Sequence, residues 1–562
     1  GTCAVLGNMF PMRFFNAIGA AEVEPDSICN LAGHIALDWV TGNAVKGFDP
    51  RTARDTKCLV VWGANPHASA PHAYKHWLKE QPGKLIVVDP IRTPTAELAD
   101  LHLRPFPGTD AALAFGIMNV LLAEELVDRD FIARHTHGFE ELEPLIHPCT
   151  PATVADITGV AAEQIVEAAH LYGDGPSLLW LGQALQRQPL GGNVFRACAM
   201  LPALTGNIGK PGAGIYFLNG KGGTRNVPLG DVAGSDLRTL PEDKVSHMDL
   251  PDRLNDSGRT GAFVVWNCNP AASNPRQAEL REALRREDLF TVVIDLFQTD
   301  TADFADYVLP AASFLEYDDL VGSYMHLSLG PQQKVMEPLG EALPNAEIFR
   351  QLANHMGLPE PELYEGDREI LDRLLEASGL GLDFDELKRR GTVYVSDEPV
   401  ILWEELEFPT PSGRIEIASD QAEAAGCPRT PRPDTDPRPA SGKLRLLSPA
   451  SVWHMNCSYD NDPNVRNQAG EPTVFLHPED AAERQLRAGA RVRLSSPAGA
   501  VELALATSDT VPRGVALSPK GKWPKLVGAN VNFVNPGTRA DIGGSTAVHG
   551  TEVEIAPAQA AE

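Results

Sequence analysis

Basic side chains are scarce. Lys and Arg number 48 against 75 Asp and Glu, a formal charge of −27 over 562 residues. Phosphate backbones are bound by clustered cations, so a nucleic-acid partner is excluded, while a small anion held by local Arg and backbone donors stays open. C-x-x-C is lacking as well. The eight cysteines (3, 29, 58, 149, 198, 268, 427, 457) are scattered, which disfavours a zinc site or a disulfide framework and fits the reducing cytoplasm. No apolar run approaches the roughly 18 residues of a membrane span, so no direct membrane insertion is expected. An initiating Met is missing, the chain opening GTCAVLGN, and the natural N-terminus is expected to lie upstream. What is present, 43% hydrophobic residues at a mean hydropathy of −0.18, describes a globular chain. Its length suits roughly three or four domains.

One stretch occurs twice. Residues 60–71, VVWGANPHASAP, match 264–275, VVWNCNPAASNP, and each is followed by a second matching stretch, KLIVVDPIRTPTAELAD (84–100) and FTVVIDLFQTDTADFAD (290–306). Asp89, Thr93, Thr95 and Asp100 recur as Asp295, Thr299, Thr301 and Asp306. This is a duplicated supersecondary unit. An apolar β-branched run, a turn rich in Gly, Asn and Pro, a helix and a second run ending in Asp predict β-loop-α-β, with both loops at the strand edge where open parallel sheets bind ligands. Asn and Ser after the first strand can offer donors to a phosphate, and the Asp can accept from a ribose or a base edge. G-x-G-x-x-G is absent from both copies, so an ordinary NAD fingerprint is not the explanation. Two nucleotide-like ligands, or one held symmetrically, are expected; a repeat with a purely structural role is the competing reading.

Along the chain, residues 1–50 form a lead-in with short helices near 11–20 and up to Trp39. It carries Cys29, a residue type that in such a place is usually a small buried hydrophobe. Residues 51–219 alternate strand and helix. Gly108 and Asp110 approach the helix at 111–126, with Asp110 either an N-cap or part of an anion seat. A buried strand ends in Gly182, with Gln183, Gln186 and Arg187 just beyond. Residues 220–260 are polar and irregular, a surface excursion. The Pro-rich run 427–443 is a linker. From Leu444 short alternating runs, including the hairpin RVRLSSPAGAVELALAT, predict a small closed β domain with Asn-rich loops at 456–461 and 528–535.

The ordered motifs resemble a known family. A Cys in a short segment precedes VVWGANP, VVDPIRTPTA, PGTDAAL and LTGNIGKPGAG; the second repeat, ADYVLPA, TPSGRIE and a β domain with HPEDA and NVN follow. This is similar to the molybdopterin oxidoreductases of the dimethyl sulfoxide reductase family, over residues 7–555. The resemblance implies an α/β fold of two pseudo-symmetry-related doubly wound nucleotide-binding domains plus a C-terminal double-psi β-barrel. Residues 1–50 would pack with 220–426 as a discontinuous domain, beside 51–219 and the barrel at 444–557. It implies two molybdopterin guanine dinucleotides on one molybdenum or tungsten ion, and two-electron oxo or hydride transfer on a small substrate. Gly63, Asn65, Asp89, Arg92, Thr93, Gly108, Asp110 and Gly182 would hold one dinucleotide. Asn269, Ser273, Asp295, Gln298 and Thr299 would hold the other, with His454, Asn456 and Asn532 closing over the pterins. Cys29 would be the metal ligand, a soft thiolate suited to such an ion, with His34 and His454 as proton relays. The family's [4Fe-4S] motif is absent, so that cluster is expected in a segment upstream, serving an iron–sulfur electron-transfer partner. Asn30 after Cys29 departs from the His or Arg of typical formate dehydrogenases. Non-redox hydration, a scaffold subunit without catalysis, and a two-site nucleotide-binding regulator are the alternatives.

Overall fold

The computed structural model describes residues 4–220, 228–528 and 530–558. Cys3, part of the 220–260 excursion and Ala529 of the Asn-rich loop lie outside the described residues.

The first copy of the repeat sits in a five-stranded parallel sheet. Its strands are β1 (Cys58–Trp62), β2 (Lys84–Val88), β3 (Leu101–Leu103), β4 (Ser177–Leu181) and β5 (Gly214–Tyr216), in the order β3-β2-β1-β4-β5. Every residue of β1 and of β4 is buried. Val60 and Trp62 pack with Phe115 and Phe195 on one face, and Leu59 and Val61 with Trp180 and Tyr216 on the other. Covered faces are why these strands are continuous apolar runs rather than alternating ones. Three helices matter to the site: α1 (Leu31–Thr41), α2 (Asp110–Ala123) and α3 (Gly191–Thr205), the last buried along its whole length. Two helices that the sequence did not suggest, Phe139–Ile146 and Pro151–Thr158, fill the interval after α2.

The second copy forms a three-stranded parallel sheet of β6 (Ala262–Trp266), β7 (Phe290–Asp295) and β8 (Tyr307–Pro310), ordered β8-β7-β6. The excursion at 220–260 is more regular than expected: Lys244–Ser246 pairs in parallel with Glu22–Glu24 of the lead-in. That pairing supplies long-range backbone partners, which local composition cannot reveal.

Six strands close the C-terminal barrel: β9 (Leu444–Leu447), β10 (Thr473–Leu476), β11 (Arg491–Ser496), β12 (Gly499–Thr507), β13 (Val515–Leu517) and β14 (Glu552–Pro557), in the order β9-β13-β10-β12-β11-β14. The expected hairpin is β11–β12, in register from Arg491 opposite Ala504 to Ser496 opposite Gly499. The Pro-rich run before it is a packed strap, not a free tether. Asp436 is buried, its N–H donates to the Gly108 carbonyl at 2.8 Å, and its Oδ1 accepts from the Leu190 N–H at 3.1 Å. Arg196, buried in α3, donates to the carbonyls of Pro428 and Arg429. Proline spends no N–H here, so such a strand can cross a core with few donors to satisfy.

Candidate active site

Each copy of the repeat closes its loop with the same internal latch. Thr95 Oγ1 donates to Asn65 Oδ1 at 2.8 Å and accepts from the His67 N–H at 3.2 Å. Thr301 Oγ1 donates to Asn269 Oδ1 at 2.8 Å and accepts from the Ala271 N–H at 3.0 Å. Ser69 and Ser273 donate to the carbonyls of Asn65 and Asn269 at 3.0 and 2.9 Å. Thr93 and Thr299 accept from the N–H groups of Ala96 and Ala302, both at 3.2 Å. Asp89 and Asp295, ending β2 and β7, accept from the N–H groups of Ile91 and Phe297 at 2.8 and 3.1 Å. The repeated Asn, Ser and Thr therefore shape the loop first. The Gln298 side chain donates to Asp303 at 3.1 Å.

Asp89 keeps a second carboxylate oxygen for which no hydrogen bond is found. Burial pushes its carboxyl up to about 7, the Ile91 N–H opposing and Asp110 adding to the rise. Asp295 is raised by burial too. Asp110 is neither an N-cap nor a free anion seat. Thr109 takes the cap position, and buried Asp110 accepts from Trp62 Nε1 at 2.8 Å and Gln188 Nε2 at 2.9 Å. It thereby ties together the ends of β1, α2 and the loop after β4. Gly63, in the left-handed region at φ +64°, turns the chain out of β1, and a Cβ on Gly182 would fall 2.0 Å from its carbonyl oxygen. That contact admits only glycine.

The barrel grips both copies at corresponding places. The Arg92 N–H donates to the Thr510 carbonyl at 3.1 Å, and its guanidinium pairs with Asp509 at 3.3 Å. The Lys525 N–H donates to Asp300 at 2.9 Å. Asn530 and Asn532 donate to the Ala272 carbonyl at 2.8 and 3.2 Å. Asn456, at φ +57°, bends the loop carrying His454. His454 Nε2 lies 3.1 Å from Asp460 Oδ1; a carboxylate only accepts, so Nε2 carries the proton and Nδ1 is left buried without a partner.

Between these bodies lies Cys29, its residue exposed. The Cys29 carbonyl accepts from Gln186 Nε2 at 3.0 Å and from Arg187 at 3.4 Å. Lys520 lies close enough to Arg187, Cys29 and Cys457 for their charges to act on it; burial, reinforced by Arg187, brings its ammonium down to about 7. Cys457 in turn feels Cys268 and Asp295, and burial first, then those two neighbours, pushes its thiol up to about 12. Charge influence links Asp110 to Asp89, Lys520 to Arg187, Cys29 and Cys457, and Cys457 to Asp295. His34 points elsewhere, edge-on to Phe217 at 5.7 Å and 3.9 Å from Asp26; burial lowers its pKa, the nearby carboxylates opposing.

Among the described residues, Arg187 Nε, Gln188 Oε1, Ser448 Oγ, His454 Nδ1 and His549 Nδ1 are buried with no protein partner, and buried polar atoms are ordinarily paired, with protein, water or a ligand. Among the described residues no three His, Cys, Asp or Glu side chains converge on a point that could hold a metal ion. Lys520, His549 and Cys457 were not anticipated from the sequence: SPKGKW and VHGT carry no pattern that separates them from ordinary loops. Gln186 and Arg187 were visible beyond Gly182, but nothing local indicated their contact with Cys29.

Residues 31–355 match the family model described as Molybdopterin oxidoreductase, and residues 444–552 the one described as Molydopterin dinucleotide binding domain. The chain is 32% identical over 556 residues to the probable oxidoreductase YoaE of Bacillus subtilis, covering 97% of this chain and 80% of that protein. It is 29% identical to the F420-dependent formate dehydrogenase 1 subunit alpha of Methanococcus maripaludis, over 83% of this chain and 72% of that one. The solved acetylene hydratase from Pelobacter acetylenicus shares its fold, with a TM-score of 0.82 at 24% identity over 99% of this chain and 85% of that one.

Proposed function

The chain belongs to the molybdopterin oxidoreductase family, in its dimethyl sulfoxide reductase branch, and from that premise we propose that Cys29 is the protein ligand to a molybdenum or tungsten ion held between two molybdopterin guanine dinucleotides. The observation that carries this is the exposed Cys29, held where the first unit, the lead-in and the barrel meet, beside Lys520 and Arg187. When bound, the cofactor supplies two-electron oxo or hydride transfer; the protein supplies position and field.

In this reading Asp89 and Asp295 accept from the guanine edges, and the N–H groups of the loops shaped by Asn65, Thr93, Asn269, Ser273 and Thr299 face the phosphates. Gly63 and Gly182 let backbone approach one dinucleotide, with Gly108 and Asp110 behind them. Arg92 and Gln298 hold the loop edges, and Asn532 and Asn456 set the barrel loops over the pterins. His454, with Nδ1 unpartnered, is placed to accept a proton, whereas the surroundings of His34 favour a supporting role. Residues 1–50 with 220–426, 51–219 and 444–557 act as three domains joined by the strap. A [4Fe-4S] cluster and an iron–sulfur partner would supply the electron route, and the cytoplasm is the compartment of this reading. No described helix is long and apolar enough to cross a membrane.

Metal analysis of holoenzyme and X-ray absorption of a Cys29→Ser variant test the assignment. Loss of one sulfur from the metal's shell is expected; an unchanged shell sinks it. The likeness to acetylene hydratase favours a second reading, non-redox hydration. Turnover of substrate with no electron acceptor present would select it.

A further inference from the structure

We infer that Gln186 is a positioning residue for Cys29, aiming its thiol. Gln186 is 1% exposed and ends the short helix Gln183–Gln186 that follows β4, 157 residues from Cys29 in sequence. Both ends of its amide are used on the same short segment. Nε2 donates to the Cys29 carbonyl at 3.0 Å, and Oε1 accepts from the Gly33 N–H, in the first turn of α1, at 2.7 Å. Arg187 adds a second donor to the same carbonyl at 3.4 Å.

Local structure holds the N–H groups of Cys29 and Asn30 and leaves the Cys29 carbonyl oxygen to long-range donors. Cys29 ends a 3-10 turn (Pro25–Ile28) and Asn30 opens α1, so the residue sits between two helical segments with non-helical backbone angles, φ −113° and ψ −83°. Its N–H donates to the Asp26 carbonyl at 3.0 Å, which fixes one peptide plane. In the other plane the Asn30 N–H donates to the same Asp26 carbonyl at 3.0 Å, and the Cys29 carbonyl oxygen is held by Gln186 and Arg187. With both planes held, the Cα–Cβ vector of Cys29 has one direction. The amide bridges Cys29 and Gly33, so it also locks the start of α1 to that direction. Rotation of the clamp is itself blocked: Gln186 Nε2 also donates to Gln183 Oε1, and a Cβ on Gly191 would strike the Gln186 carbonyl at 2.0 Å. On the other side the His549 N–H donates to the Arg187 carbonyl at 2.9 Å, and the Thr546 N–H to the Ser27 carbonyl at 2.8 Å. The barrel therefore anchors both partners of the clamp, and the Cα–Cβ direction of Cys29 is referenced to all three bodies. A buried amide used at both ends is a more exact constraint than one salt bridge, because each bond is directional and each broken end leaves an unpaired polar group.

The inference rests on the assignment of Cys29 as metal ligand, and two variants of holoenzyme separate them. Gln186→Glu keeps the acceptor for the Gly33 N–H but replaces the donor to the Cys29 carbonyl with an oxygen. Gln186→Leu removes both bonds. Each is compared with wild type for metal and guanine nucleotide content, thermal unfolding, the sulfur shell by X-ray absorption, and the midpoint potential of the metal couple. The expected result is unchanged nucleotide content, with a lengthened or lost thiolate–metal contact and a shifted potential in both variants. The Glu variant should move the potential at a melting temperature closer to wild type than the Leu variant. A structural clamp alone would lower thermal stability and leave shell and potential as they were, which overturns the inference. Loss of guanine nucleotide from both variants overturns it too, since Gln186 would then be holding the cofactor. If Cys29→Ser leaves the sulfur shell unchanged, the ligand assignment fails and the inference falls with it. If Cys29→Ser changes the shell and the Gln186 variants do not, only the inference falls.

Discussion

The two copies of the repeat share loops but not surroundings. Thr95 and Thr301 latch Asn65 and Asn269 at the same 2.8 Å, and the next N–H is bound at 3.2 and 3.0 Å. Around the latch everything differs. Trp62 is fully buried and donates to Asp110, whereas its counterpart Trp266 is half-buried and stacks on Phe15 at 5.2 Å with a 12° interplanar angle. The first copy gained β4 and β5 beside β1, and with them Gly182, Gln186 and Gln188; in the second copy β6 is an edge strand. Phe290, Tyr307 and Val308 remain exposed there, while β3, the counterpart of β8, buries both leucines. At the turn itself, Gly63 at φ +64° is matched by Asn267 at φ +54°. A loop geometry that is duplicated is therefore portable, because its bonds close within about thirty residues. The chemistry around it is not portable, because it depends on which elements pack alongside.

Three experiments break or sharpen this contrast. The largest effect is expected at Gly182, whose added Cβ has no room against the Gly63 carbonyl: Gly182→Ala should cost about 3 kcal/mol. Asn267→Gly, at the matching turn of the second copy, should change stability by less than about 1 kcal/mol. Calorimetric melting of the two variants checks the pair. Next, Trp62→Phe leaves buried Asp110 without one of its two donors and should cost about 1–3 kcal/mol. Trp266→Phe loses stacking area and should cost about 1 kcal/mol. Equal costs would show that the two tryptophans have the same job.

The third test is a pH dependence. Burial raises the folded-state pKa of Asp89 to about 7, above its unfolded value. The folded protein therefore holds the proton more tightly, and the stability so gained is complete below the unfolded pKa and is lost as pH rises through about 7. Asp89→Asn apoprotein should match wild type in melting temperature near pH 4 and exceed it increasingly up to pH 8. Asp295→Asn should follow the same sign, since burial raises that carboxyl as well. A difference that shrinks with rising pH would contradict the assignment.

Much of this architecture was legible before any coordinates. The spacing of Asp89 and Asp295 from their Asn-Pro turns marked both units, and alternation in RVRLSSPAGAVELALAT marked the barrel hairpin. The strap was misjudged because Pro and polar residues suggest a tether, yet Asp436 is buried against Gly108 and Leu190. Between an N-cap and part of an anion seat the sequence could not choose for Asp110; Thr109 takes the cap, and the partners of Asp110, Trp62 and Gln188, are 48 and 78 residues away. Neither Lys520 nor His549 could have been chosen from their flanking residues.

The sequence by itself determined the duplicated strand-turn-helix-strand units, their latches and the character of the last domain, since periodicity and turn chemistry act over a few residues. Only the tertiary structure decided that Cys29, Gln186, Lys520 and Cys457 meet. They come from four separated segments, and their juxtaposition depends on how sheets and barrel pack, a matter of long-range burial and hydrogen bonding that no local pattern encodes.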